Sequence, residues 1–198
     1  MRVNMSFLDK KAIRKRMLNI RQQMNRDKVE SLSKEIKLKL MKLPIYQKSK
    51  TIMLYLSFGN EVDSYELIKA CLESGKKVVV PFCVKKDMKI IPTEIKSLDI
   101  PLRTHDMGYM EIEEEFVDPV SADEIDLIIL PGIAFDKKCY RIGFGAGYYD
   151  RFLGELNFGI PTIGVAYDFQ IIESFLEMES HDVPLDYVIT ESRIIIRS

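Results

Sequence analysis

One stretch restricts the fold of this chain more than any other: Leu130 to Leu153, LPGIAFDKKCYRIGFGAGYYDRFL. It follows the apolar run Ile125-Asp126-Leu127-Ile128-Ile129-Leu130, which reads as a strand buried on both faces, and Pro131-Gly132 ends that strand. After a short loop, Gly143, Gly145 and Gly147 alternate with Ile142, Phe144 and Ala146, and Tyr149, Phe152, Leu153 and Leu156 then share one face of a helix. A buried strand, a glycine-rich turn and a helix start in succession make a phosphate-binding candidate. Glycines without Cβ atoms let backbone N–H groups approach an anion, and the helix N-terminus adds its partial positive charge. Arg141 stands at the entrance of the loop, and Asp150 in the first helical turn is placed to meet a cation carried by phosphates. Gly-x-Gly-x-Gly lacks the third glycine position of the Rossmann fingerprint, and no Gly-Lys-Ser/Thr follows as a Walker A loop requires. Spacing alone therefore leaves a phosphate loop and a tight structural turn both open.

The rest of the chain supplies similar units. Ser6-Phe7-Leu8-Asp9 reads as a capping box, followed by a helix whose apolar face is Ile13, Met17, Ile20 and Met24. Lys10, Arg14 and Arg21 form a neighbouring stripe, which by charge pattern alone is a solvated basic face. Val29, Leu32, Ile36, Leu40 and Leu43 predict a second helix that stops at Pro44. Thr51 to Ser57 reads as a buried strand, Gly59-Asn60 as a turn, Tyr65 to Ser74 as a helix capped by Asp63 or Ser64, and Lys77 to Val84 as a further strand. Met88 to Pro92 predicts a short strand. Glu94 to Phe116 has no clear period, Tyr109 within it reads as a packed aromatic, and Glu111 to Glu115 reads as a solvated acidic run. Strands are expected at Thr162 to Ala166, Tyr187 to Thr190 and Arg193 to Ile196, with a helix over Phe169 to Leu176. Alternation of strands and helices without repeats or Gly/Ser linkers predicts one α/β domain over residues 1–198, an open, mostly parallel sheet with helices on both faces.

Composition narrows the function. Lys+Arg 29 against Asp+Glu 30 leaves a net charge of -1, so no global field draws the chain to nucleic acid or anionic lipid, and small-molecule chemistry gains by that exclusion. Cys71, Cys83 and Cys139 are odd in number and form no Cys-x-x-Cys pair, which argues against a disulfide framework and a zinc site. MRVNMSFLDKK carries charges where a signal peptide would need its apolar core, and no apolar run reaches transmembrane length, so a cytoplasmic protein with no membrane partner is expected.

The whole string around the glycines is more specific than its spacing. PGIAFD followed by RIGFGAGYYDRFL resembles the signature of the 5-formyltetrahydrofolate cyclo-ligase (methenyltetrahydrofolate synthetase) family. The resemblance extends to Lys10 to Arg14, to YLSFGNEVDSYELI at Tyr55 to Ile68, to VVVPF at Val78 to Phe82 and to HDVPLDYVIT at His181 to Thr190, nearly the full length. It implies ATP-dependent cyclisation of 5-formyltetrahydrofolate to 5,10-methenyltetrahydrofolate with release of ADP and phosphate. A formamide oxygen is a poor leaving group; phosphorylated, in an iminophosphate-like intermediate, it departs as phosphate when the neighbouring folate nitrogen attacks.

Phosphoryl transfer asks the protein for positioning and charge stabilisation, that is, for backbone N–H groups, cations and Mg²⁺. The resemblance implies Lys10 and Arg141 as the catalytic cations. For ATP it implies Lys10, Arg14, Arg141, Ile142, Gly143, Phe144, Gly145, Ala146, Gly147, Tyr148 and Tyr149, although residue pattern alone makes Tyr149 a core side chain. For the reduced folate it implies Leu56, Glu61, Tyr109, Phe144, Gly145, Gly147 and Tyr148, with the Glu61 carboxylate suited to the paired donors of a pterin's aminopyrimidine edge. For Mg²⁺ it implies Asp150 and Asp182, with Asp186 as the weaker candidate. Arg21 matches none of these elements and is expected to be solvated. Phe144 stands where many members carry Arg, and Ala146 where Gly or Lys is frequent, and Met110-Glu111 replaces the usual Gly-Ile after the aromatic. Phe144 and Ala146 motivate a second reading, a folate- and nucleotide-binding module with little turnover. A sugar-phosphate enzyme is a third, supported only by the loop.

Overall fold

The computed structural model describes residues 9–105, 108–156, 159–174, 178–179 and 182–197. Its centre is a seven-stranded sheet built from β1 (Thr51–Met53), β2 (Lys77–Val84), β3 (Lys89–Ile95), β6 (Leu127–Leu130), β9 (Thr162–Val165), β11 (Tyr187–Ile189) and β12 (Ile194–Ile196), in the order β12-β11-β9-β6-β1-β2-β3. The inner five run parallel, and the edge strands β3 and β12 pair antiparallel to their neighbours. Every residue of β1, β6 and β9 is buried, as expected for strands covered on both faces.

Alternation along these strands separates two cores. Ile52, Val78, Val80, Leu127 and Ile129 pack on one side with Ile36 and Leu40 of α2 (Arg26–Met41) and with Leu67, Ile68 and Cys71 of α4 (Tyr65–Glu73). Met53, Val79, Ile128 and Leu130 pack on the other with Phe152 and Leu153 of α5 (Tyr148–Glu155). The expected fold, a mostly parallel α/β sheet with helices on both faces, is therefore present. The crossover from β1 to β2 runs through α4 and that from β6 to β9 through α5, in opposite directions along the sheet, so chain order reverses between β1 and β6. In open α/β sheets such a reversal opens a crevice at the carboxyl ends of the strands.

A second, small sheet brings an early helix to that crevice. β7 (Ala134–Asp136) pairs with β8 (Arg141–Ile142) and β10 (Ile171–Ile172), and against it packs α1 (Lys10–Gln22), whose Ile13 and Met17 are buried with Ile133, Ala134, Ile142 and Ile172. Pro44 ends the α2 region as expected but also opens a short helix, α3 (Pro44–Lys48), at a position where its missing N–H is harmless. A hairpin of β4 (Leu102–Thr104) and β5 (Met110–Ile112) completes the elements.

Four expectations need correction. Asp9 itself caps α1, accepting from Ala12 N at 2.6 Å, in place of a box led by Ser6, which lies outside the described residues. Phe169 to Leu176 is not helical where described: a 3₁₀ turn at Asp168–Gln170 leads into β10, because Ile171 and Ile172 complete the small sheet and the Gln170 amide donates to Gly132 O and Ile133 O. Glu111 is buried rather than solvated, and its Oε1 accepts from Arg103 at 3.0 Å. Arg21 is buried too, with consequences developed below. Cys71, Cys83 and Cys139 are free thiols, and among the described residues no helix is long and apolar enough to cross a membrane.

Candidate active site

A cavity of about 1250 Å³, mouth included, opens at the carboxyl ends of β1, β2 and β6, on the crevice that the strand order creates. Every residue singled out for nucleotide, folate or metal except Asp186, the weaker metal candidate, borders it: Lys10 and Arg14 from α1, Leu56 and Glu61 after β1, Tyr109 before β5, the run Arg141 to Asp150, and Asp182. Five separate parts of the sequence meet there.

The glycine loop forms the floor. Arg141 leaves β8 buried, its Nη2 donating to Asp150 Oδ1 at 3.0 Å, and its Cζ lies 5.3 Å from the ring centroid of Tyr149. A Cβ on Gly143 would stand 2.6 Å from Arg141 Nη1, so the guanidinium lies where it does because residue 143 has no side chain to push it aside. Gly147 enters α5 at φ 69, a left-handed conformation open to glycine, and puts no side-chain cap on the helix N-terminus. The first amide N–H groups of α5 thus remain available to a ligand. Arg141 Nε is buried without a hydrogen-bond partner among the described residues. An orphan guanidinium donor and an uncapped helix N-terminus on one cavity wall suit an anion such as phosphate.

The N-terminal helix closes over this floor. Arg14 Nε donates to Gly143 O at 2.8 Å, and Lys10 Nζ lies 2.6 Å from Asp182 Oδ2 and 3.4 Å from Glu179 Oε1. Burial acts to lower the Lys10 pKa, but the hydrogen bond and charge of Asp182, with Glu179 behind it, hold it above the ordinary lysine value. Lys10 is a fixed cation. Asp182 also accepts from Glu179 N at 2.7 Å, while Asp186 lies elsewhere, binding Thr162 N and Oγ1 and Arg197. His181 lies outside the described residues. Among the described residues no three His, Cys, Asp or Glu side chains form a metal-binding group. Asp150 and Asp182 on one cavity fit Mg²⁺ in its commoner form, held by one or two carboxylates alongside phosphate oxygens and water.

The opposite wall is aromatic and carries one buried carboxylate. Phe58 packs against Phe144 at 5.3 Å and Tyr109 at 5.9 Å between centroids, and His105 stacks on Tyr109 at 4.3 Å. Glu61 is 5% exposed; its Oε2 accepts from Phe58 N at 3.2 Å and its Oε1 lies 3.4 Å from Arg21 Nη1. Burial pushes the Glu61 carboxyl up to about 7 against the opposing pull of Arg21 and the Phe58 amide. Burial likewise raises the Tyr109 and Tyr149 phenols, so both are neutral hydroxyls. Tyr149 serves twice, in the core under α5 and on the cavity wall. Phe58, Tyr55, Cys83 and Glu179 also line the cavity and were not singled out from sequence. Phe58 sits three residues before Glu61 in YLSFGNE, close enough to have been flagged with it.

An open α/β sheet whose strand ends carry a cation-lined glycine loop beside an aromatic slot with one buried acid defines a small-molecule enzyme. Residues 7–191 match the 5-formyltetrahydrofolate cyclo-ligase family, and the chain belongs to that family. It is 33% identical to a 5,10-methenyltetrahydrofolate synthetase of Aquifex aeolicus whose solution structure superposes with a TM-score of 0.80, covering 94% of this chain and 92% of the other. A 5,10-methenyltetrahydrofolate synthetase from Mycoplasma pneumoniae is 30% identical with a TM-score of 0.75, covering 93% of this chain and 99% of that one. A probable 5-formyltetrahydrofolate cyclo-ligase of Caenorhabditis elegans is 28% identical over 196 residues, 94% of this chain and 95% of the relative.

Proposed function

We propose that this enzyme cyclises 5-formyltetrahydrofolate to 5,10-methenyltetrahydrofolate with Mg-ATP, releasing ADP and phosphate. The observation that carries this reading is the union of two unlike subsites in one cavity: cations and open backbone N–H groups on the loop side, and a buried carboxylate among aromatic rings on the other. The loop side suits a triphosphate; the aromatic side suits a flat, donor-edged ring.

In this reading the formyl oxygen attacks the γ-phosphorus and the bond to ADP breaks. The second folate nitrogen then attacks the activated carbon and loses its proton, and the carbon–oxygen bond breaks to free phosphate. Phosphorylation turns a leaving group equivalent to hydroxide into phosphate, which is why ATP is consumed. Asp150 and Asp182 would hold a Mg²⁺ ion bound with the triphosphate, which would neutralise developing charge there. Lys10, fixed beside Asp182, and Arg141, with its unpaired Nε, face the transferring group. Arg14 braces the loop from above through Gly143 O, and Glu61 with Phe58, Phe144 and Tyr109 orients the folate.

Purified protein with Mg-ATP and 5-formyltetrahydrofolate should yield methenyl product, followed by its absorbance, and ADP in equal amounts, both abolished by a chelator. ADP without methenyl product would assign a different acceptor, and folate binding without ADP would assign the binding module.

A further inference from the structure

We propose that Arg21 is a positioning residue of the folate subsite: from the last turn of α1 it holds the Glu61 carboxylate in place on the cavity wall and favours its ionised form, and it ties that carboxylate to the glycine loop through the ring of Phe144. The inference rests on the reading of Glu61 as the group that takes the donor edge of the folate ring.

Four contacts converge on this point. Arg21 Nη1 lies 3.4 Å from Glu61 Oε1, and both side chains are nearly sealed, 7% and 4% exposed. The guanidinium carbon stands 5.9 Å from the Phe144 ring centroid, where a cation meets the negative face of the ring. Asn60 Nδ2 donates to both Arg21 O and Met24 O at 2.8 Å, which bolts the end of α1 to the turn that carries Glu61. Phe58 N donates to Glu61 Oε2, so the carboxylate is fixed from both ends while it borders the cavity. A buried arginine needs a carboxylate to offset its desolvation, and a buried carboxylate needs the arginine; Phe144 then makes their geometry sensitive to the loop. A guanidinium thus reaches the ring of the loop residue Phe144 from α1, a different element.

The chemical consequence is a choice of protonation state. A ligand edge with two donors requires a carboxylate that accepts twice, and a protonated acid offers one acceptor and one clashing donor. Burial raises Glu61 to about 7, with Arg21 opposing the rise, so losing Arg21 moves the carboxyl higher still and leaves it neutral near pH 7. The groups facing Glu61 are Arg21 from α1, Tyr55 after β1, Tyr149 of α5 and Tyr167 after β9. All three phenols are pushed up by burial, so among the groups facing Glu61 a pH response near neutrality belongs to the Glu61–Arg21 pair.

The test is equilibrium binding of 5-formyltetrahydrofolate by titration calorimetry, without nucleotide, at several values between about pH 6 and 9. The proteins compared are wild type, Arg21→Met, Arg21→Lys and Glu61→Gln. Wild type should bind more tightly as pH rises through about 7. Arg21→Met should weaken folate binding about tenfold or more at pH 7 and recover part of the loss at higher pH, with Mg-ATP affinity within about twofold of wild type. Arg21→Lys, which keeps the charge but not the fork, should lose several-fold while retaining the wild-type pH midpoint. Wild-type folate affinity in Arg21→Met, or an equal and pH-independent loss toward folate and ATP, would overturn the proposal in favour of packing alone. If Arg21→Met does not fold, Arg21→Lys decides: wild-type affinity overturns the proposal, and a several-fold loss at the retained midpoint supports it. Glu61→Gln that binds like wild type would remove the folate reading of Glu61, and this inference with it, whatever Arg21 does.

Discussion

Replacing Arg14 with alanine removes the bond that pins the glycine loop from above, and two accounts of that side chain predict different magnitudes. If Arg14 were a solvated member of a basic helix face, its loss would cost no more than about 0.5 kcal/mol, about twofold in any rate or binding constant. The structure shows instead a half-buried guanidinium donating from Nε to Gly143 O at 2.8 Å, with its Cζ and Nη2 3.7 Å from the Cβ position of Gly145. A charge-assisted bond of this kind contributes about 1.5–3 kcal/mol. Its loss also frees the Gly143 carbonyl of the glycine loop, the proposed phosphate site. Arg14→Ala should therefore lower kcat/KM for ATP by about tenfold to over a hundredfold, with folding retained. Lys15, exposed on the same helix, is the matched control and should stay near wild type on substitution by alanine. Arg21 cannot play that part, since it is buried against Glu61. Steady-state kinetics with ATP varied at saturating folate give the answer. A kcat/KM within twofold of wild type would take the N-terminal helix out of the nucleotide subsite.

Two further pairs of substitutions probe the metal and the backbone at the start of α5 and within it. Asp150→Asn and Asp182→Asn should each weaken use of Mg-ATP, most visibly at limiting Mg²⁺, while folate binding without nucleotide stays nearly unchanged; wild-type activity at limiting Mg²⁺ would strike that carboxylate from the metal set. Gly147→Ala should lower the melting temperature by about 2–8 °C, because a left-handed φ of 69 costs an L-residue roughly 1–2 kcal/mol, whereas Gly154→Ala, in open space on α5, should raise it by about 2–4 °C. Equal melting temperatures for the two variants would contradict the backbone argument.

The parts of the molecule that sequence made legible are those where local pattern and tertiary environment agree. β6 is apolar at every position because both its faces are covered, and the turn that follows needs glycine, so strand, loop and helix start were readable from residue type alone. Phe169 to Leu176 failed for the opposite reason. Its spacing suits a helix, but Ile171 and Ile172 are claimed by the exposed edge of β7, a partner some 36 residues away in the chain that periodicity cannot see. Arg21 and Glu111 failed together in another way: a charged residue reads as solvated unless its counterion is known. Arg21 meets Glu61 across 40 positions, and Glu111 meets Arg103 across a hairpin that had no clear period. Tyr109 reads as packed and is packed, yet its ring also borders the cavity, since a side chain can serve the core on one face and a ligand on the other.

The docking of α1 also orders events in time. Lys10 reaches Asp182 over 172 positions, Arg14 reaches Gly143 over 129 and Arg21 reaches Glu61 over 40. The contacts of α1 are therefore complete only once the chain has reached Asp182, and a chain synthesised as far as β6 has Arg21 and Glu61 but not yet Gly143 or Asp182. In the finished molecule the same three side chains hang on one helix that is held mainly through Ile13 and Met17 against the small sheet. Detachment of that single element would withdraw a contact from both substrates at once, so the free energy of one local opening sets how much of the protein is competent at any instant.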